Sequence, residues 1–464
     1  MRRKVRGRRV RRVDPVRRAA VELLEAWQRG HRHVEDLVED LERRPGPDSA
    51  SDRAYVDRRR LREIVYGAVR LHARYDHLIA VFSDGTKSPP PRLRALFWVA
   101  LHEHTEMRSP DHAVVSEAVD LTHALRLEWA AGWVNAVLRR ATREDLASCF
   151  PDPGTDPIGH AATWHSHPRW LAERWHALLG AAEMSALCAA GNERPVVHLR
   201  AAPGRRDALQ DELRRFEWET HAVDGVPDAL ELDTRVPPAV VLEAVEESCA
   251  VQDAAAQLVA PLLTLEPVAE PRVLDACAAP GGKTLHLAQL LGTSAHVVAA
   301  DPVAARLTRV RQGLDRLDLG GRVHLVAADG EALPLRAGAF DGVLVDAPCT
   351  GTGVLARRHD ARWLRRPEDL VELPKLQARL LEAAIDRTRA GGVIVYATCS
   401  LEPEENDEVV DTVLARREDI EEIGVDDAVD ERFRRGSRLQ TWPHRHGIDG
   451  AFAARLRRTG EVAS

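Results

Sequence analysis

Two cysteines in this 464-residue chain stand where a core residue has little reason to be. Cys349 lies in Asp346-Ala-Pro-Cys-Thr-Gly-Thr-Gly353 and Cys399 in Ala397-Thr-Cys-Ser400, both rich in turn-forming and polar residues. A lone cysteine is usually a small buried hydrophobe, but a thiol in such a turn is available as a nucleophile or proton carrier. A third turn, Asp275-Ala-Cys-Ala-Ala-Pro-Gly-Gly-Lys-Thr284, lets backbone approach a ligand and presents N–H groups to an anion. A phosphate-cradling loop needs Gly six residues before Lys283, and Cys277 occupies that position; the G-x-G-x-x-G dinucleotide pattern is also missing. A carboxylate-bearing nucleoside such as S-adenosylmethionine (SAM) remains. Asp301, twenty residues past Gly281, suits ribose hydroxyls, and Asp329 suits an adenine amino group. One such acid can simply cap the next helix; three after a Gly-rich turn point to a nucleoside ligand.

SAM, two thiols and an acid together suit one reaction class. Carbon 5 of a pyrimidine is too weak a nucleophile to take a methyl group unaided. A thiolate adding to carbon 6 pushes electron density onto carbon 5. An acid near the ring nitrogen stabilises the developing charge, and a base then removes the carbon 5 proton. The attacking thiol needs a pKa below its reference of about 8.5. By residue type alone, Cys349 and Cys399 are interchangeable in these roles. Cys277 reads as a small pocket wall, and Cys149, Cys188 and Cys249 as structural.

These residues need a scaffold that brings strand ends together. From residue 272, apolar runs (RVLDA, AHVVAAD, RVHLVAAD, FDGVLVDAP, GGVIVYATC) alternate with helical segments, which predicts a doubly wound parallel sheet. Asp275, Asp301, Asp329, Asp346 and Cys399 each end a predicted strand, where such sheets bind ligands. Residues 16–143 carry apolar positions at helical spacing, such as Leu61, Ile64, Val65, Ala68 and Leu71. Three prolines in FPDPGTDPIGH (150–160) predict a linker. Residues 169–250 are mixed, with a helix over 170–179 and a strand over 195–200.

Composition excludes other classes. At 44% apolar and 30% charged residues the chain is globular, and no stretch is long and apolar enough for a membrane helix. The basic start lacks an apolar signal region, so a cytoplasmic location is expected. The cysteines are too scattered for a disulfide framework or a structural zinc site. Residues 1–150 carry net charge +7 and residues 151–464 carry −14; eight basic groups lie in residues 2–12, a tail suited to phosphate backbones. Lysine supplies only four of 65 basic residues (Lys4, Lys87, Lys283, Lys375), which singles out Lys283 in the Gly-rich turn.

In these motifs the chain resembles the RsmB/Sun branch of the NOL1/NOP2/Sun family of RNA 5-methylcytosine methyltransferases, which modifies 16S ribosomal RNA. The resemblance rests on VQDAAAQ (251–257), CAAPGGK (277–283), DAPCTGTG (346–353), ATCS (397–400) and PHRHGIDGAF (443–452). In the first half it rests on DRRRLREIVYGAVR (57–70), SPDHAVVSEAVDL (109–121) and WVNAVLRR (133–140), and then on SHPRWLAERW (166–175) and NERPVVHLR (192–200). It implies a multidomain chain: a basic tail (1–13), an all-α NusB-like RNA-binding domain (14–150), a linker (151–168), a small mixed α/β RNA-binding subdomain (169–250) and an α/β Rossmann-like SAM-dependent methyltransferase domain (251–464). It further implies Cys399 as nucleophile and Cys349 as base or release residue, with Asp346 also reaching the base. SAM contacts are implied at Cys277, Ala278, Ala279, Pro280, Gly281, Gly282, Lys283, Asp301, Asp329 and Asp346, with Lys283 near the methionine carboxylate. The expected partner is RNA, 16S rRNA or an assembling small subunit, bound by a monomer without metal or membrane. Two departures, Ala451 where the family has an aromatic and His359 where it has Pro, are expected near an RNA-facing rim. The opposite cysteine assignment, a non-catalytic RNA-binding factor and an ATPase are the alternatives, the last disfavoured by the missing glycine.

Overall fold

The computed structural model describes residues 13–30, 32–43, 57–83, 85, 88–233, 236–246 and 248–460. The basic run 2–12, Lys4 and Lys87 lie outside them. The chain folds as two compact units: residues up to Glu193 with Arg358–Leu364, and Arg194–Arg357 with the chain from Arg365 onward.

The first unit is helical. Helices Pro15–Trp27, Val34–Arg43, Arg58–Phe82, Pro91–Thr105, Asp111–Ala124 and Ala131–Ala141 follow the apolar spacing and bury Leu24, Leu61, Ile64, Phe97, Trp98 and Val134 in one core. Asp14 and Asp57 start two of them by accepting from Val16 and Arg60 backbone N–H groups. Buried Glu103 is neutralised by Arg17 at 2.7 Å and Arg60 at 2.8 Å. The expected linker is itself partly helical. Pro157 occupies the first turn of helix Pro157–Thr163, Asp156 caps it at Gly159 N–H, and Trp164 packs edge-on against Phe150. A proline at a helix start loses no hydrogen bond, so a proline-rich run need not stay open. Helices Arg169–Leu179 and Ala181–Ala190 also belong to this unit. So does buried Arg362, whose guanidinium donates to Gly191 O at 2.6 Å and Asn192 Oδ1 at 2.8 Å.

The second unit holds two sheets. In the smaller, strands β1 (Val197–Ala201), β2 (Thr220–Ala222), β3 (Ala229–Leu232) and β4 (Cys249–Val251) run antiparallel in the order β2-β3-β1-β4. Leu199, Leu230 and Leu232 pack there against Leu209, Leu213 and Val241 of its helices.

The larger sheet contains β5 (Arg272–Asp275), β6 (His296–Asp301), β7 (Val323–Ala327), β8 (Phe340–Asp346) and β9 (Thr388–Thr398), then β10 (Ile420–Glu422), β11 (Arg434–Arg435), β12 (Arg438–Gln440) and β13 (Phe452–Arg458). The order β7-β6-β5-β8-β9 is parallel, with helices Gly282–Leu291, Ala304–Arg316 and Asp369–Arg387 as crossovers. The chain winds outward from β5 in both directions, so a crevice opens beyond the carboxyl ends of β5 and β8.

The five expected strands form the parallel part, and further antiparallel strands make the whole sheet mixed. β13 lies antiparallel on β9, and β10, β11 and β12 extend it. These strands do not read as apolar runs because arginines are buried in them: Arg455 pairs with Asp427 at 2.5 Å and Arg438 with Glu422 at 2.9 Å. No helix among the described residues is long and apolar enough to cross a membrane.

Candidate active site

The Gly-rich turn is held at both ends by Asp275. This buried carboxylate accepts from Thr284 Oγ1 at 2.7 Å and weakly from Cys277 N–H at 3.4 Å. Burial pushes its pKa up to about 7; the Thr284 bond opposes this, Asp346 adds to it, and Lys283 opposes it. Within the turn Gly281 adopts φ +113°, and a Cβ there would sit 3.1 Å from the Val310 Cα. Only glycine combines that conformation with that approach. A brace comes from β1: buried Arg200 donates to Gly282 O at 3.0 Å, to Gln289 Oε1 at 2.7 Å and to Gln252 Oε1.

The strand-end acids converge on the turn. Burial raises the Cys277 thiol, and the carboxylates of Asp275, Asp346, Asp301 and Asp329 raise it further. A thiol so surrounded stays protonated, in keeping with a wall residue. Asp301 accepts from Val303 N–H at 2.8 Å and Asp329 from Glu331 N–H at 3.0 Å, so one oxygen of each caps the next segment. The capping and ligand readings of these acids are therefore compatible, because a carboxylate has lone pairs to spare. A glycine-lined turn, a helix amino end and two strand-end acids make a donor and acceptor set that fits SAM.

Lys283 pairs with an acid of the neighbouring strand. Its ammonium lies 2.7 Å from Asp346 Oδ2. Burial would lower its pKa, but Asp346 beside it prevails and the pKa is raised. The ion pair joins the start of the helix after β5 to the end of β8, neutralising two charges at the crevice.

Cys349 and Cys399 meet. They follow β8 and β9, paired in register at Asp346 and Ala397, and their Sγ atoms lie 3.3 Å apart with no disulfide between them. The Cys349 thiol is raised well above its usual range, first by its hydrogen bond to Cys399, then by burial and by charge on Cys399 and Glu405. That direction favours the protonated form of Cys349. The turns themselves are locked by backbone: Gly353 N–H donates to Cys399 O at 2.9 Å and Gly450 N–H to Gly353 O at 2.8 Å.

A second buried network draws in the other motifs. Asp253 Oδ2 accepts from His198 Nδ1 at 3.0 Å and from Arg357 at 2.6 Å, while Arg357 Nε donates to Asp449 at 2.7 Å. Burial and Asp253 together push Asp449 up to about 7.

A putative methyltransferase of Mycobacterium tuberculosis is 39% identical over 98% of this chain and 98% of its own. Ribosomal RNA small subunit methyltransferase B of Pseudomonas putida is 36% identical over 86% of this chain and 90% of its own. The family model described as 16S rRNA methyltransferase RsmB/F matches residues 262–457. The chain belongs to the RsmB/F family. Models for the NusB family and for the ferredoxin-like domain of RsmF/B-like methyltransferases match 14–143 and 167–238. Among solved structures, PH0851 aligns over 96% of this chain and 98% of its own, with TM-score 0.74 at 23% identity, which shows a shared fold. A methyltransferase homologue from Pyrococcus horikoshii aligns over 65% of this chain and 98% of its own, with TM-score 0.52 at 26% identity. As an RsmB/F protein, the chain is a SAM-dependent rRNA methyltransferase with a NusB-type helical domain, a ferredoxin-like domain and a methyltransferase domain.

Three features of this RsmB/F protein escape a linear reading. Arg200 supports the Gly-rich turn from another sheet, and nothing in HLR (198–200) marks it out. Glu405 sits in the acidic run EPEEN, which reads as solvated although Glu402, Glu405 and Asn406 are buried. The two family departures lie in the interior rather than at a rim. His359 is buried against Tyr66 and Arg70 in the helical unit, and Ala451 is buried beside Phe452.

Proposed function

We propose that this RsmB/F protein methylates carbon 5 of a cytosine in 16S rRNA through a covalent cysteine adduct. The observation that carries the reading is the 3.3 Å contact between the Cys349 and Cys399 sulfurs beside the Lys283–Asp346 pair. Bound SAM supplies an electrophilic methyl group, held by residues 277–283 with Asp301 and Asp329 at the ribose and adenine.

Cys399 is the nucleophile and Cys349 the base. The Cys399 thiolate adds to carbon 6, forming a C–S bond and moving the ring's electron pair to carbon 5, which takes the methyl. Asp346 acts through its ion pair: the Lys283 ammonium that it holds at the site supplies the positive charge that stabilises the ring's developing negative charge. Once Cys399 is bonded to carbon, the charge and hydrogen bond that kept Cys349 protonated are gone. Cys349 then releases its proton to water and, as thiolate, removes the carbon 5 proton. Those electrons rebuild the 5,6 double bond, the C–S bond breaks, and the Cys399 thiolate returns. One proton is released per methyl transferred.

The helical and ferredoxin-like domains bind the RNA, and the basic residues 2–12 add contacts to its phosphates. The curated relatives named ribosomal RNA small subunit methyltransferase B support the 16S substrate. We place the reaction in the cytoplasm, with a monomer as the acting species. Cys399→Ala should abolish methyl transfer to small-subunit RNA with labelled SAM; retained turnover would reject the assignment. Bisulfite mapping of 16S rRNA with and without the gene locates the cytosine.

A further inference from the structure

Behind the thiol pair lies a buried carboxylate that the proposed chemistry leaves unused. Glu405, six residues after Cys399, is buried in the short turn Pro403–Glu405. Its Oε1 accepts from Thr350 N–H at 2.9 Å and Gln377 Nε2 at 3.0 Å, and its Oε2 accepts from the hydroxyls of Thr350 and Ser400. All four partners donate, the pattern of an ionised carboxylate. Thr350 directly follows Cys349 and Ser400 directly follows Cys399, so one side chain grips both thiol-bearing turns.

The charges around the two sulfurs are unequal. Glu405 holds the Cys349 turn through both the N–H and the hydroxyl of Thr350 but the Cys399 turn through the Ser400 hydroxyl alone, and it acts on Cys349 as a like charge. Asp346 balances Lys283, buried Asp275 lies beyond it, and the Arg365 guanidinium donates to the carbonyl oxygens of Cys349 at 3.0 Å and Thr350 at 2.9 Å. In an interior of low dielectric, a carboxylate bound more closely to one thiol-bearing turn than to the other makes two otherwise equivalent thiols unequal.

We propose that Glu405 is the positioning residue that divides the labour between the cysteines: it holds their turns in contact, and its negative charge behind Cys349 leaves the thiolate to Cys399. The consequence for turnover rests on the reading of Cys399 as nucleophile. The thiol preference itself does not, so the two are tested separately.

The experiment is limiting alkylation of the free, full-length protein with iodoacetamide, with peptide mass spectrometry reporting the ratio of modified Cys399 to modified Cys349. The wild-type protein should favour Cys399. Glu405→Gln, which keeps the shape and removes the charge, should shrink that preference by about tenfold or more, the effect of one pKa unit. Its kcat should fall while the KM for SAM holds, since a merely structural lesion would move both. Glu405→Asp keeps the charge at shorter reach and should retain the Cys399 preference with reduced turnover. An unchanged ratio in folded Glu405→Gln overturns the proposal. So do equal alkylation of the two thiols in Glu405→Asp and a wild-type preference for Cys349, and neither of these requires Glu405→Gln to fold. A failure of Cys349→Ala to accumulate any cytosine adduct would instead reject the proposed reaction and leave the alkylation result standing.

Discussion

A Cβ placed on Gly353 would lie 2.7 Å from the carbonyl oxygen of Gly450 and 2.8 Å from that of Cys399. The two glycines come from motifs almost a hundred residues apart, and their backbones touch directly beside the thiol pair. Close packing of this kind leaves no room for a methyl group, because both obstacles are backbone. Gly353→Ala should therefore destabilise the catalytic unit by about 1–3 kcal/mol. It should also displace the turn carrying Cys349, so kcat should fall in preparations that remain folded. Thermal denaturation alongside single-turnover methylation checks both effects; a variant with unaltered stability and rate would show that the contact is dispensable.

The division of labour between the thiols predicts a trapped intermediate. Cys349→Ala leaves addition possible but removes the base that clears the carbon 5 proton. Incubated with SAM and cytosine-containing small-subunit RNA, it should accumulate a protein–RNA species that survives denaturing electrophoresis. The doubly substituted Cys349→Ala, Cys399→Ala protein should form none. An adduct dependent on Cys349 instead would reverse the roles.

Lys283 and Asp346 neutralise each other at the mouth of the crevice, 2.7 Å apart. Removing one member of a largely buried pair strands the other's charge, and the cost is of order 1–3 kcal/mol where some solvent still reaches the pair. Lys283→Met should lower the melting temperature and weaken SAM binding about tenfold or more. Calorimetric titration with SAM reads the second effect directly. The Lys283→Met, Asp346→Leu double variant should recover part of the stability without recovering turnover.

The buried carboxyl of Asp275 sets a pH dependence. Its pKa rises from 3.8 to about 7 on folding, with burial as the main cause. Between those values the folded protein holds a proton that the unfolded chain has lost. The contribution is thus present at low pH and disappears as pH climbs through about 7, with a slope of at most about 1.4 kcal/mol per pH unit. Asp275→Asn keeps an acceptor for Thr284 and cannot titrate. The stability difference between wild type and this variant should therefore shift against the wild type between pH 5 and 7. Denaturant midpoints measured across that range decide it, and a constant difference would refute the burial argument. Asp449, also near 7, titrates in both proteins and cancels.

Much of this protein can be read directly from its residues. The helical periodicity of 16–143, the alternation after residue 272 and the strand-end aspartates are local patterns, and short-range sterics and hydrophobic spacing turn them into helices, strands and turns. The motifs around Cys277, Cys349 and Cys399 also point to a SAM-dependent methyltransferase, because small residues, acids and thiols at strand ends have few other uses. Tertiary structure decided what depends on distance between remote residues. It brought the two sulfurs into contact, turned Lys283 toward Asp346, and buried Glu405 between two turns although its run reads as solvent-exposed. It also hid arginines in β12 and β13 and placed Arg200 from a different sheet beneath the Gly-rich turn. A charged side chain looks the same in sequence whether water or a partner satisfies it, and only the folded chain supplies the partner.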